Sequence, residues 1–194
     1  MNWLNEPAPF CILSFMKDPL DDLIMLEAAS FAARAHKEQL RKDGETPYAS
    51  HVFRVCLVVR HLFGFDDARM LATALLHDTI EDTTTDFDDI TERFGPEIAG
   101  WVACLTKDKR LRDEERERDY MDRLCAAPWE VQVCKLADVY DNLMDSRQLP
   151  DSRRSHALER AEQYWQALKS RESPQTRGPL QVVQDLLATL RHQT

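Results

Sequence analysis

The chain has 194 residues, 43% hydrophobic and 30% charged, enough for one globular domain with its own core. A net charge of −9 argues against nucleic acid and anionic membrane as partners, and no apolar run is long enough to span a bilayer. Glycine is scarce, at 5 residues, and helix formers dominate, so the chain is read as all-α.

Residues 1–19 are expected to be a leader and 20–194 a single helical domain. Pro7 and Pro9 break the leader and no basic flank precedes it, so it does not read as a signal peptide. Its Trp3, Phe10, Ile12, Leu13 and Phe15 would pack on the domain's own core or on a second copy, which leaves a homo-oligomer open. The first helix is predicted over 21–36, with Asp21 and Asp22 at the positive end of its dipole and Leu23, Leu26, Ala29 and Ala33 facing the core. His36 closes it as a structural residue. Gly44 and Pro47 break a polar loop over 37–48, which carries the adjacent cations Arg41 and Lys42. By composition alone that pair belongs in solvent.

Ser50 reads as the N-cap of a helix over 51–63, with His51 at its start and Val52, Val55, Val58, Val59 and Leu62 apolar. Asp66 or Asp67 caps the next helix, which buries Met70, Leu71, Ala74 and Leu75 and runs to His77. A short helix over 86–94 stops and restarts at Gly95-Pro96, and the next, 97–106, carries Ile98, Trp101, Val102 and Leu105 on one face. Residues 107–119 read as a solvated helical face laced with ion pairs, the alternative being a flap that carries a phosphate-reaching Lys or Arg. Pro128 starts a mostly apolar helix through Leu143. Another follows over 151–170, then a linker turn from Ser173-Pro174 to Gly178-Pro179, then a final amphipathic helix from Leu180 to Leu190. The cysteines, Cys11, Cys56, Cys104, Cys125 and Cys134, form no C-x-x-C pair. They read as reduced thiols of a cytoplasmic protein rather than zinc ligands.

The chemistry gathers at the stretch from Leu75 to Thr83. His77 offers an imidazole nitrogen and Asp78 a carboxylate oxygen, and the two can share one ion if the backbone bends between them. Glu81 and Asp82 follow one turn later, close enough to handle protons at a metal-activated water. Asp138 sits inside an apolar helix, where burial is costly unless it is paired or bound to a metal. His51, His77, Asp78 and Asp138 together make a two-His, two-carboxylate set. That mixture suits one Mn²⁺, Fe²⁺ or Zn²⁺ ion better than Ca²⁺. Lys135, Asp138 and Asn142 share one helix face.

These pieces carry a resemblance. Ala32-Ala33-Arg34-Ala35-His36, Arg41 to Tyr48, His51, Ala74 to Thr83, Phe94-Gly95, Leu105-Thr106-Lys107 and Lys135 to Asp138 with Asn142 run in the order of the HD-domain metal-dependent phosphohydrolases, over roughly residues 25–150. Within that superfamily the chain resembles the hydrolase domain of the RelA/SpoT alarmone enzymes, and most of all their small single-domain members, including the metazoan SpoT homologue. The resemblance implies a single HD-domain helical bundle with the metal site in a core cleft and no synthetase or regulatory domain. It implies hydrolysis of the 3′-diphosphate of (p)ppGpp or (p)ppApp, with pyrophosphate released. It turns Arg41 and Lys42 toward the nucleotide, with Tyr48 supporting them, Asn142 contacting the substrate and Tyr164 stacking on the base. The chain departs from the family after Asp138, where a basic residue and a Leu-His or Leu-Tyr pair are usual and Val139-Tyr140-Asp141 stands instead. Two other readings are carried beside this one: a phosphatase acting on a phosphomonoester such as that of NADPH, and a non-catalytic alarmone-binding protein.

Overall fold

The computed structural model describes residues 19–192. It is built of helices: α1 (Pro19–Ala35), α2 (Ala49–Leu57) running on as a π-helical turn (Val58–Leu62), α3 (Ala68–Leu76), a single turn α4 (Thr79–Asp82), α5 (Phe87–Leu105), α6 (Asp113–Ala126), α7 (Trp129–Ser146), α8 (Asp151–Lys169) and α9 (Arg177–Arg191). No strand forms among the described residues, and the one β-bridge, Leu40 to Pro47, pinches the loop that holds Arg41 and Lys42. No described helix is long and apolar enough to cross a membrane.

Helix α7 is the hub, packing on α2, α3, α5, α8 and α9. Its sequence explains why. Val131, Val133, Cys134, Leu136, Ala137, Val139 and Leu143 leave no continuous polar stripe, and all are buried. Cutting back a fully buried side chain such as Leu136 to Ala would cost about 2–5 kcal/mol. Lys135, Asp138 and Asp141 are buried on the same helix. These costly burials mark where the fold has been bent toward a site.

The termini of the helices follow local chemistry. The Asp67 carboxylate accepts from the Arg69 and Met70 amides and starts α3. Asp86 and Asp89 form a reciprocal capping box at the start of α5. Gly95, at φ 84°, makes the stop and restart expected at Gly95-Pro96.

Five local expectations are corrected. Leu23 and Leu26 are exposed, because α1 lies close against α3 through the small Ala28 and Ala32. Ser50 is not a cap: α2 begins one residue earlier, after Tyr48, and the Ser50 hydroxyl accepts from Arg54. Leu62 is exposed, because the π-helical turn shifts the register by one residue and rotates it off the core. Gly178 and Pro179 lie inside the first turn of α9, where the missing proline N–H breaks no helical bond. The charged segment 107–119 is helical only from Asp113; its first half is a loop that reaches the site. Cys56, Cys104, Cys125 and Cys134 are unpaired thiols, as expected. Residues 1–18, with Cys11 and the leader's aromatic residues, lie outside the described part.

Candidate functional site

Three elements deliver side chains to one point beneath the loop at Arg41. The first turn of α2 supplies His51, the end of α3 supplies His77 and Asp78, and the middle of α7 supplies Asp138. The backbone does bend between His77 and Asp78: Asp78, at φ −99° and ψ −2°, leaves the helical path, and Thr79 Oγ1 donates back to the Leu76 carbonyl at 2.7 Å to hold the corner. Consecutive residues therefore face the same space.

Within it, donor atoms of His51, His77 and Asp138 all lie within 4.8 Å of one another. His51 Nε2 is 3.3 Å from Asp138 Oδ1 and 3.5 Å from Asp78 Oδ2, and His77 Nε2 is 2.9 Å from Asp78 Oδ2 and 3.8 Å from Asp138 Oδ1. Atoms bonded to one ion at about 2.0–2.2 Å stand roughly 3.0–3.5 Å apart, so the spacing fits a shared cation. The far sides of the two rings fix their state. His77 Nδ1 faces the Ala74 carbonyl at 2.9 Å, and His51 Nδ1 faces Asp141 Oδ2 at 2.7 Å. Both partners only accept, so each Nδ1 carries a proton and each Nε2 is the nitrogen turned inward. Both Nε2 atoms are buried and lack an aligned hydrogen-bond partner. Two orphaned ring nitrogens among carboxylate oxygens are a donor set that could hold a cation.

The carboxylates are themselves held. Tyr48 donates its hydroxyl to Asp78 Oδ2 at 2.6 Å. Lys135 Nζ reaches Asp138 Oδ2 at 2.8 Å, and Asn142 donates to Asp138 Oδ1. In the absence of an ion, protons balance the charge. Burial opposes protonation of His51, but Asp138, Asp141 and Asp78 outweigh it and lift its pKa to about 9. His77 is raised too: burial opposes its protonation, and Asp78 and Asp138 outweigh it.

The cluster forms the floor of a cleft of about 310 Å³, the size of a small-molecule site. Glu81 and Asp82 lie on its wall. Glu81 Oε2 accepts the Lys107 backbone N–H at 2.8 Å; burial pushes its carboxyl pKa up, the Lys107 amide opposes this, and the Asp78 and Asp82 charges add to it. Asp82 pairs with Lys109 Nζ at 2.8 Å. At the rim Arg41, Lys42 and Lys107 line the cleft, and Lys135 lines it deeper, on Asp138. Arg41 donates from Nε to Asp145 at 2.9 Å and from its terminal nitrogen to Asn142 Oδ1 at 3.0 Å. A second hollow of about 190 Å³ opens off the cleft, sharing Lys42, Lys107, Lys135 and Asn142 and adding Arg160 and Tyr164.

Residues 28–173 match the family model described as an HD domain. The chain belongs to the HD-domain family. It is 43% identical over 126 residues to the guanosine-3′,5′-bis(diphosphate) 3′-pyrophosphohydrolase MESH1 of Xenopus tropicalis, covering 64% of this chain and 70% of that one. The human protein of the same name is 39% identical over 137 residues, covering 70% and 76%. A solved structure of a metazoan orthologue of SpoT that hydrolyses ppGpp superposes with a TM-score of 0.76 at 30% identity, over 87% of this chain and 95% of that one.

All the expected residues of this HD domain fall in one place: His51, His77, Asp78 and Asp138 at the floor, Glu81 and Asp82 on the wall, and Arg41, Lys42, Tyr48, Asn142 and Tyr164 around the rim and its side hollow. Tyr48 has its hydroxyl on Asp78, and Tyr164 is buried, with its ring 4.3 Å from Lys135 Nζ and its hydroxyl 3.2 Å from Glu117. Sequence reading passed over several contributors. Lys107 and Lys109 lay in a run read as a solvated face, with a flap carrying a phosphate-reaching cation as the alternative and neither lysine singled out for the site. Lys135 was placed on the right face but given no role. Asp141 carries the signal that betrayed Asp138, a carboxylate in an apolar helix, three residues further on.

Proposed function

We propose that the protein is a divalent-metal-dependent 3′-pyrophosphohydrolase of alarmone nucleotides, (p)ppGpp or (p)ppApp. The observation that carries the reading is the pairing of an anionic, metal-shaped floor with a cationic rim, on a chain whose net charge is −9. Such a chain attracts a polyanion only where charge is locally reversed. The names of the relatives support the substrate class.

In this reading His51, His77, Asp78 and Asp138 hold one ion, and Mn²⁺ suits their mixture of nitrogen and oxygen. The ion would supply positive charge at the phosphate and acidify a water. Glu81, with its raised pKa, takes the water's proton, and Asp82, anchored by Lys109, shapes the same wall. Attack at the 3′-linked phosphorus breaks its bond to the ribose oxygen, which takes up a proton, and pyrophosphate departs. Arg41 grips phosphate oxygens with its planar fork and Lys42 adds a second charge. Asn142 holds both Arg41 and Asp138, so the phosphate clamp and the metal floor share a brace. That Tyr164 lines the side hollow supports its reading as the residue that stacks on the base.

The test is product analysis with Mn²⁺ and ppGpp, ppApp or NADPH offered separately. Pyrophosphate from either alarmone is the expected result and settles the base. Phosphate from NADPH alone would make the protein a phosphomonoesterase. Metal binding without turnover of any of the three would make it an alarmone-binding protein.

A further inference from the structure

His51 and His77 are not backed alike. His77 Nδ1 meets a neutral carbonyl, that of Ala74. His51 Nδ1 meets the carboxylate of Asp141 at 2.7 Å, and both side chains are almost wholly buried. Asp141 has no freedom to leave. Arg54 grips it in a fork, Nε to Oδ1 at 2.6 Å and a terminal nitrogen to Oδ2 at 2.9 Å. The same terminal nitrogen reaches Asp145, which also accepts from Arg41. Charge compensation for a buried carboxylate thus comes from one guanidinium, itself tied to the rim.

We propose that Asp141, clamped by Arg54, is a positioning residue for His51: it fixes the ring's tautomer and aim and strengthens the donor lone pair on Nε2. The inference rests on the metal-site reading above. The competing explanation is that Arg54 and Asp141 only tie α2 to α7. The two differ in what they move. A tie between helices affects melting and leaves the cluster's affinity for a cation alone. A carboxylate behind a ligand imidazole alters metal affinity, by roughly 10- to 100-fold when it is removed.

The experiment is chelator-competition titration of the full chain with Mn²⁺ alone, comparing the wild type with Asp141→Asn and Arg54→Met, beside thermal melts of the metal-free proteins. Asp141→Asn keeps an oxygen that can accept from Nδ1 but removes the charge. It is expected to weaken Mn²⁺ binding roughly 10- to 100-fold. Arg54→Met leaves Asp141 in place without its clamp and is expected to weaken binding by a smaller factor. Unchanged Mn²⁺ affinity in Asp141→Asn overturns the proposal, whatever its melting temperature does. If Asp141→Asn does not fold, Arg54→Met decides: its side chain is 37% exposed and tolerates the change, and wild-type affinity there overturns the proposal. A wild-type chain that binds no Mn²⁺ overturns the metal-site reading itself, which is a different result from equal binding in wild type and variant.

Discussion

At the floor of the cleft His51, His77, Asp78 and Asp138 arrive from three helices, donor atoms of His51, His77 and Asp138 lie within 4.8 Å of one another, and the four side chains are held by Asp141, Ala74, Tyr48 and Lys135. At the rim Arg41, Lys107 and Lys109 arrive from two loops, and each is already paired: with Asp145, Glu117 and Asp82. The floor therefore has donors with no partner, and the rim has cations with partners of their own. An ion that enters the floor displaces ring protons rather than another side chain. A phosphate that meets Arg41, Lys107 or Lys109 must compete with a carboxylate, so each of these three contacts yields only the difference between two anions. Changes at the floor should act as switches, and changes at the rim as dials.

The largest effect tests the switch. His77→Ala removes one of the two orphaned nitrogens. Metal content should fall to background, and turnover should drop on the order of a thousandfold or more, since several kcal/mol of transition-state stabilisation go with the ion. The intact floor also predicts a proton count. His51 holds its proton up to about pH 9 in the metal-free protein, and a ligand nitrogen must be neutral. Loading Mn²⁺ at pH 7 should therefore release about one to two protons, and affinity should weaken as pH falls below 9. Calorimetry in two buffers of different ionisation heat measures this; identical heats would mean that no ring proton is displaced.

Glu81→Gln comes next and separates chemistry from metal binding. Mn²⁺ affinity should stay near wild type while turnover falls about 10²- to 10⁴-fold. Burial raises the Glu81 carboxyl above its ordinary value. The wild-type rate should thus decline as pH falls through that raised pKa, because the protonated acid cannot accept a proton. The variant's profile should lack that acid limb.

The floor was readable in the sequence for a physical reason: a His-Asp pair ending an apolar helix, and an Asp inside another, are burials that nothing but a partner or an ion explains. The order of the helices was readable too, from apolar periodicity and from punctuation such as Asp67 and Gly95. Rim and bracing residues were harder. Arg54 and Lys109 are partly exposed, and an exposed cation reads as solvated whatever it touches. Asp141 read as a departure from the family pattern, because its partner His51 lies 90 residues away and only the packing of α2 on α7 joins them. Leu23 and Leu26 misled because leucine looks like core, whereas α1 docks through alanines.

Arg41→Lys tests the dial at its strong end. Arg41 is buried, and its fork spans Asp145 and Asn142. Lysine keeps the charge and loses the planar pair of donors. A charge-assisted hydrogen bond is worth about 1.5–3 kcal/mol, so kcat/KM should fall roughly 10- to 100-fold, mostly through KM, with Mn²⁺ affinity unchanged. A loss confined to kcat would place Arg41 with the floor instead.

Lys109→Ala should have the smallest effect, and it sharpens the comparison most. Its ion pair with Asp82 is 2.8 Å long, but the two side chains are 56% and 35% exposed. Pairs that open to water contribute about 0.2–1 kcal/mol, so melting should shift by no more than roughly 2–4 °C. If Lys109 only anchors Asp82, kcat/KM should change less than about fivefold, and added salt should reproduce the change in the wild type, because salt screens an exposed pair. Asp82 follows Glu81 directly, and Lys109 Nζ also bonds the Glu81 carbonyl, so Lys109 is tied to both residues of the wall. A hundredfold loss, insensitive to salt, would show that this lysine belongs to the switch, and that the boundary between floor and rim runs outside the loop at 106–112.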